Sequence, residues 1–247
     1  MIKGILFDLD NTLIDFLKIK KKSCEESISA MIKAGLPLKK TEALKILYDI
    51  YERYGIEYQK IFQEFLMETT GKIDYRILAE GIVAYRRVKN SMLTTFPHVI
   101  PTLKRLREND FKLGIVSDAP RLQAWLRLVE LKIVDFFQVV VALKEEGEEK
   151  PSKVPFLNAS KELKLRPYEI LFVGENPKKD IEGAKAVGMK TALALYGLTY
   201  RKPPREMNAD YVLHDFSDIL KILNIDSARV EKMNIKEEKI NGELKGF

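Results

Sequence analysis

The chain alternates between two rhythms of apolar and polar residues. Near its start a short apolar run, Ile5, Leu6 and Phe7, stops at two aspartates one residue apart, Asp8 and Asp10. A run of that length bounded by charge reads as a buried strand. Beyond Asp15 the spacing becomes helical. Tyr58, Ile61, Phe62, Phe65 and Leu66 recur at i, i+3, i+4, i+7 and i+8 and predict one apolar helix face. Ala43, Leu47, Ile50, Tyr51 and Tyr54 form a comparable stripe before Gly55, and Ile77, Leu78, Gly81, Ile82, Tyr85 and Val88 form another. With a helix over about residues 18–34, ending near Gly35 and Pro37, these give four helices joined by short turns, the pattern of a compact bundle.

From Phe96 onward the rhythm changes again. The runs KLGIVS (112–117), VVVAL (139–143), ILFVG (170–174), TALAL (191–195) and YVL (211–213) are too short for helices, and amphipathic segments separate them. Strands alternating with helices argue for a parallel sheet covered on both faces. The expected fold class is therefore α/β, a doubly wound parallel-sheet (Rossmann-like) core with an inserted α-helical bundle cap. Residues 1–15 and 93–225 make the core, 16–92 the cap, and 226–247 a charged C-terminal tail. From about Ser227 that tail has no sustained period, and mobility is expected of it.

Composition narrows the function classes. A 46% apolar fraction over 247 residues fills a proper core. No apolar stretch approaches the roughly 20 residues a membrane span needs, and acids fall where a signal peptide would continue apolar. A cytoplasmic protein without membrane contact is the expectation. The lone Cys24 excludes an intramolecular disulfide, and the two well-separated histidines, His98 and His214, disfavour a zinc cluster. A metal here should be a hard ion held by carboxylates. Richness in Lys, Glu and Ile with little Gln or Cys is the bias of a thermophilic protein. Of the formal +6 charge, +5 lies in residues 16–92, where 15 Lys and Arg face 10 Asp and Glu. That excess reads as a solvated helical surface rather than a nucleic-acid site.

Candidate chemistry follows from the strand ends, because ligands of an open parallel sheet bind beyond the carboxyl ends of its strands where the strand order reverses. Asp8 and Asp10 follow the first strand. Ser117 and Asp118 end KLGIVS, and Ala119-Pro120 then reads as the start of a helix. Lys150 follows VVVAL, and Glu175 and Asp180 follow ILFVG in VGENPKKDI. Two neighbouring carboxylates at the end of a buried strand disfavour joint ionisation, so the pair implies a metal or a proton-transfer partner.

FDLDNTL, a helical insertion, GIVSD, a lysine before proline and VGENPKKDIEGAKAVGMKT together resemble the haloacid-dehalogenase superfamily, in its phosphatase branch with a small helical cap after the first motif. The resemblance covers the chain to about residue 223. It implies that Asp8 attacks the phosphoryl group and becomes an aspartyl phosphate, and that Asp10 acts as general acid and base. It implies Mg2+ bound by Asp8, the Asp10 backbone carbonyl and the fourth motif, Glu175 and Asp180. Ser117, with Asp118 and Thr12 as further substrate-binding candidates, would hold the phosphoryl oxygens, and Lys150 would neutralise charge. Lys153 is the alternative lysine, and Lys150 is preferred because it immediately precedes proline, as in the family. Asp10 favours phosphoryl transfer over dehalogenation, since dehalogenases of the superfamily lack this second aspartate.

One departure stands out. The last motif ordinarily begins Gly-Asp and here reads Gly174-Glu175, one methylene longer. The cap is expected to close over the phosphate and select a small phosphorylated metabolite, glyceraldehyde 3-phosphate being the single best candidate. Phe16, Lys18, Lys22, Tyr54, Tyr85, Arg86 and Arg87 are its possible contributors. A phosphomutase and a non-catalytic basic binding module are the alternatives, and the protein is expected as a monomer or homodimer.

Overall fold

The computed structural model describes residues 1–143, 147–198 and 208–225. The tail expected over 226–247 lies outside them. The chain divides into two compact units. One comprises Met1–Ile14 and the chain from Thr95 onward, and the other comprises Asp15–Thr94.

The second unit is the helical insertion. It contains α1 (Phe16–Lys33), α2 (Lys40–Tyr54), α3 (Ile61–Thr70) and α4 (Tyr75–Met92). Local chemistry sets the boundaries. The Asp15 and Asp74 side chains accept backbone N–H groups at the starts of α1 and α4, and Gly71 in the left-handed region closes α3. The stripes legible in the sequence meet in one core, with Cys24, Ile28, Met31, Leu47, Ile50, Phe65 and Leu66 fully or almost fully buried. Tyr58 falls before α3 rather than on it, its ring stacked on Tyr54 at 4.7 Å.

The first unit is a six-stranded, wholly parallel sheet in the order β3-β2-β1-β4-β5-β6, as expected from the alternating pattern. Its strands are β1 (Gly4–Phe7), β2 (Lys112–Pro120), β3 (Val139–Leu143), β4 (Ile170–Gly174), β5 (Lys190–Ala194) and β6 (Tyr211–Leu213). Alternate residues of β1 face opposite layers. Ile5 and Phe7 pack in the layer containing α5 (Val99–Glu108), α6 (Arg121–Glu130) and α9 (Asp218–Ile222), whereas Leu6 packs with Phe156 and Ala159 of α7 (Lys153–Leu163) and Ala184 of the short α8 (Gly183–Lys185). Because both faces are covered, each strand reads as a continuous apolar run. Beginning at β1, the chain adds strands first to one side and then to the other, so the carboxyl end of β1 is the switch point.

Two boundaries differ from expectation. β2 continues through Pro120 instead of stopping at Ser117, because its pairing with β3 slips between Ser117 and Pro120 and resumes opposite Leu143. Pro120, at φ −51° and ψ 137°, is therefore the residue before α6 and not its first turn. β5 ends at Ala194, and Leu195–Gly197 form a 3-10 turn. Among the described residues no helix is long and apolar enough to cross a membrane.

Candidate active site

The ladder positions Asp8. Its amide donates to the Val173 carbonyl at 2.9 Å, prolonging the β1–β4 pairing by one residue. Its side chain is buried, and Lys150 Nζ donates to its Oδ1 at 2.5 Å. The same ammonium donates to Asp180 Oδ1 at 2.8 Å and to the Val116 carbonyl at 3.1 Å. Lys150 thus makes three contacts, to Asp8 just after β1, to the backbone of β2 and to Asp180 in the turn after β4. Lys153, by contrast, is the exposed first residue of α7.

Asp180 sits at the base of the site because the loop after β4 curls back. The Asn176 amide donates to its Oδ2 at 2.9 Å, while the Asn176 side chain accepts from Lys178 and Lys179 amides and starts the turn Pro177–Glu182. Gly174 is required here, since a Cβ at that position would run into the Asp180 carboxyl. One ligand oxygen from each of Asp8, Glu175 and Asp180 lies within 4.8 Å of the others, a grouping of hard donors that suits a divalent cation. Thr12 Oγ1 stands 3.3 Å from both Asp8 Oδ2 and Glu175 Oε2, within hydrogen-bond reach of either.

The electrostatics of this group are those of crowded acids. Burial, opposed by Lys150 and aided by the Asp180 charge, pushes Asp8 up to about 6. Burial and the charges of Asp8 and Asp180 push Glu175 well above the usual carboxylate range. Burial alone would depress Lys150, but Asp180 and Asp8 outweigh it and hold the ammonium charged. Three neighbouring carboxylates beside a single lysine leave the site short of positive charge when all are ionised.

Asp10 is held elsewhere. Its carboxyl is not a member of the Asp8–Glu175–Asp180 group, and Arg127 Nη1 donates to its Oδ2 at 2.7 Å. Asn11, the next residue, takes a left-handed φ of 60°, which asparagine tolerates and which turns the chain just after Asp10. The loop is clamped from the 3-10 turn: Tyr196 Oη donates to the Thr12 carbonyl at 2.9 Å, and a Cβ at Gly197 would collide with the Asn11 carbonyl.

Ser117 is buried at the end of the regular part of β2, and its Oγ accepts from the Ala119 amide at 3.1 Å, so its own proton remains available to an incoming oxygen. Asp118, expected as a substrate-binding residue, has protein partners on both carboxylate oxygens. Its Oδ1 accepts from the Lys150 amide at 3.0 Å and its Oδ2 from Lys179 Nζ at 3.0 Å, and Lys179 also reaches Glu149. These contacts tie the end of β2 to the segments after β3 and β4. In the insertion, Phe16 is buried, Lys22 pairs with Glu25 at 2.9 Å and Tyr85 packs edge-on against Phe62.

Sequence reading missed Arg127, Tyr196, Gly197 and Lys179. Arg127 had a signal: it shares the buried face of α6 with Ala124 and Leu128, a charge within an apolar stripe. The others had none, since their partners lie in loops distant along the chain.

Known proteins resemble this chain in sequence and fold. The family model described as haloacid dehalogenase-like hydrolase matches residues 5–194. A glyceraldehyde 3-phosphate phosphatase of Methanocaldococcus jannaschii is 35% identical over 223 residues, covering 90% of this chain and 97% of its own. The enzyme of the same name from Methanopyrus kandleri is 36% identical over 207 residues, covering 83% and 89%. Among solved structures, a phosphatase from Thermococcus onnurineus superimposes with a TM-score of 0.63 at 28% identity, over 90% of this chain and 98% of that one.

Proposed function

Because the chain belongs to the haloacid dehalogenase-like hydrolases and stands among their phosphatases, we propose that it hydrolyses a short phosphate monoester, glyceraldehyde 3-phosphate, through an aspartyl phosphate on Asp8. The observation that carries the reading is the buried convergence of Asp8, Glu175, Asp180 and Lys150 at the switch point of the sheet.

In this reading an Asp8 oxygen attacks phosphorus and the bond from phosphorus to the ester oxygen breaks. Asp10 gives its proton to that oxygen, which leaves as the alcohol. Water then attacks the aspartyl phosphate while Asp10 takes up a proton, and inorganic phosphate is released. Lys150 matches the charge on Asp8 and the transferring group, and Ser117 donates to a phosphoryl oxygen. Asp8, Glu175, Asp180 and the Asp10 carbonyl would hold Mg2+, which when bound neutralises charge between the carboxylates and the phosphate. The grouping of the Asp8, Glu175 and Asp180 oxygens within 4.8 Å of one another supports this assignment. A soluble cytoplasmic enzyme acting on a small metabolite accords with the composition, and the thermophilic bias accords with it as well.

The test is phosphate release from a panel of phosphorylated metabolites. Fastest turnover of glyceraldehyde 3-phosphate is expected, with loss of activity in Asp8→Asn protein and in EDTA. Undiminished hydrolysis of p-nitrophenyl phosphate under either condition would falsify the mechanism.

A further inference from the structure

Arg127 is a charged side chain where the fold offers little water. It lies on α6 between Ala124 and Leu128, on the face turned toward the sheet, with its side chain only 3% exposed. A guanidinium in such a place is costly unless an acid and further acceptors compensate it. The acid it meets at 2.7 Å is Asp10, separated from it by 117 positions in sequence. A purely structural anchor for α6 could have used any acid near the helix. This one lands on the group read above as the proton donor.

We propose that Arg127 is a positioning residue for the reaction, fixing the Asp10 carboxyl through Oδ2 and matching the negative charge that develops there as the proton leaves. In phosphoryl transfer the O–H bond of Asp10 breaks as the ester oxygen accepts that proton together with the electron pair of its former bond to phosphorus. Negative charge appears on the Asp10 carboxyl during this step. A guanidinium already in place stabilises that charge in the transition state more than in the ground state, without having to reorganise. The same contact then presents a fixed carboxylate to the attacking water. The inference rests on the reading of Asp10 as general acid.

The consequence depends on the leaving group. An alkyl phosphate such as β-glycerophosphate needs a proton on its departing oxygen, whereas p-nitrophenolate departs without one. The experiment compares kcat/KM for these two substrates in the same preparation, so that the fraction of folded enzyme cancels from their ratio. In Arg127→Met the ratio of alkyl to aryl ester is expected to fall by about tenfold or more, with part recovered in Arg127→Lys. Arg127→Gln carries the test if Arg127→Met gives no soluble protein. Asp10→Asn should show the same signature and Asp8→Asn should lose both activities. If Asp10→Asn shifts the ratio and the Arg127 variants lower both substrates equally, the contact is structural and the proposal is overturned. If Asp10→Asn itself leaves the ratio unchanged, the general-acid reading fails first.

Discussion

Lys150 and Asp8 form a buried ion pair, with Nζ 2.5 Å from Oδ1 and the side chains 3% and 8% exposed. The lysine also carries Asp180, so it is one cation among three acids. Lys150→Met should therefore do two things. Activity should drop by on the order of 100-fold or more, and folding stability at neutral pH by about 3–5 kcal/mol, read from denaturant unfolding. Combining it with Asp8→Asn should restore part of that stability, because the second change removes an acid the first left uncompensated. Strict additivity of the two would show that the pair is not coupled.

Glu175 predicts a trade between stability and function. Burial and its acidic neighbours hold it well above the ordinary carboxylate range, so its charge is a liability when nothing opposes it. Glu175→Gln keeps the shape and removes the charge. It should melt higher than the parent in EDTA, while needing more Mg2+ for half-maximal activity. A lower melting temperature in EDTA would contradict this account.

The same shifts set a pH dependence. Asp8 is raised from an ordinary 3.8 to about 6 in the folded protein. A raised acid binds its proton more tightly folded than unfolded, so its stabilising contribution is present below about 4 and is lost as pH rises through about 6. Glu175, raised in the same direction, adds to the trend. Metal-free protein should thus lose thermal stability across that window, and added Mg2+ should raise the melting temperature more at pH 7 than at pH 5. Equal gains at both values would count against metal binding by these acids.

Asp118 separates two roles kinetically. Its oxygens receive the Lys150 amide and the Lys179 ammonium, so it orients the lysine loop. Asp118→Ala is expected to lower kcat by about tenfold, the equivalent of one charge-assisted hydrogen bond, with little change in KM. A dominant rise in KM would return Asp118 to direct substrate contact, the role its position after KLGIVS suggests.

Gly197 and Tyr196 test the clamp on the first loop. Gly197→Ala pushes against the Asn11 carbonyl and should cost about 1–3 kcal/mol together with activity. Tyr196→Phe removes only the bond to the Thr12 carbonyl and should cost about 1 kcal/mol.

What could be read in the sequence follows from the range of the interactions involved. Runs such as ILFVG and stripes such as Ile61, Phe62 and Phe65 encode burial locally, so strands and helices emerge from periodicity alone. The residues converging on Asp8 were legible because each follows a strand, and strand ends of one parallel sheet share an edge. Arg127 was not, because a helix face says that a residue is buried but not which acid meets it there. The continuation of β2 through Pro120 depends on a slipped pairing with β3, a relation between two strands that neither one displays by itself.

Ile14 bridges Thr95 in antiparallel fashion, and the Phe96 amide donates to the Leu13 carbonyl at 2.8 Å. The chain therefore leaves the sheet unit and re-enters it through adjacent, mutually bonded residues. Closing a loop at such a doorway costs entropy that grows only slowly with the length of what lies between. Evolution can lengthen, shorten or replace the Asp15–Thr94 insert while the register that delivers Asp8 and Asp10 stays fixed. The doorway makes the insert an exchangeable module on a chemistry that has no need to change.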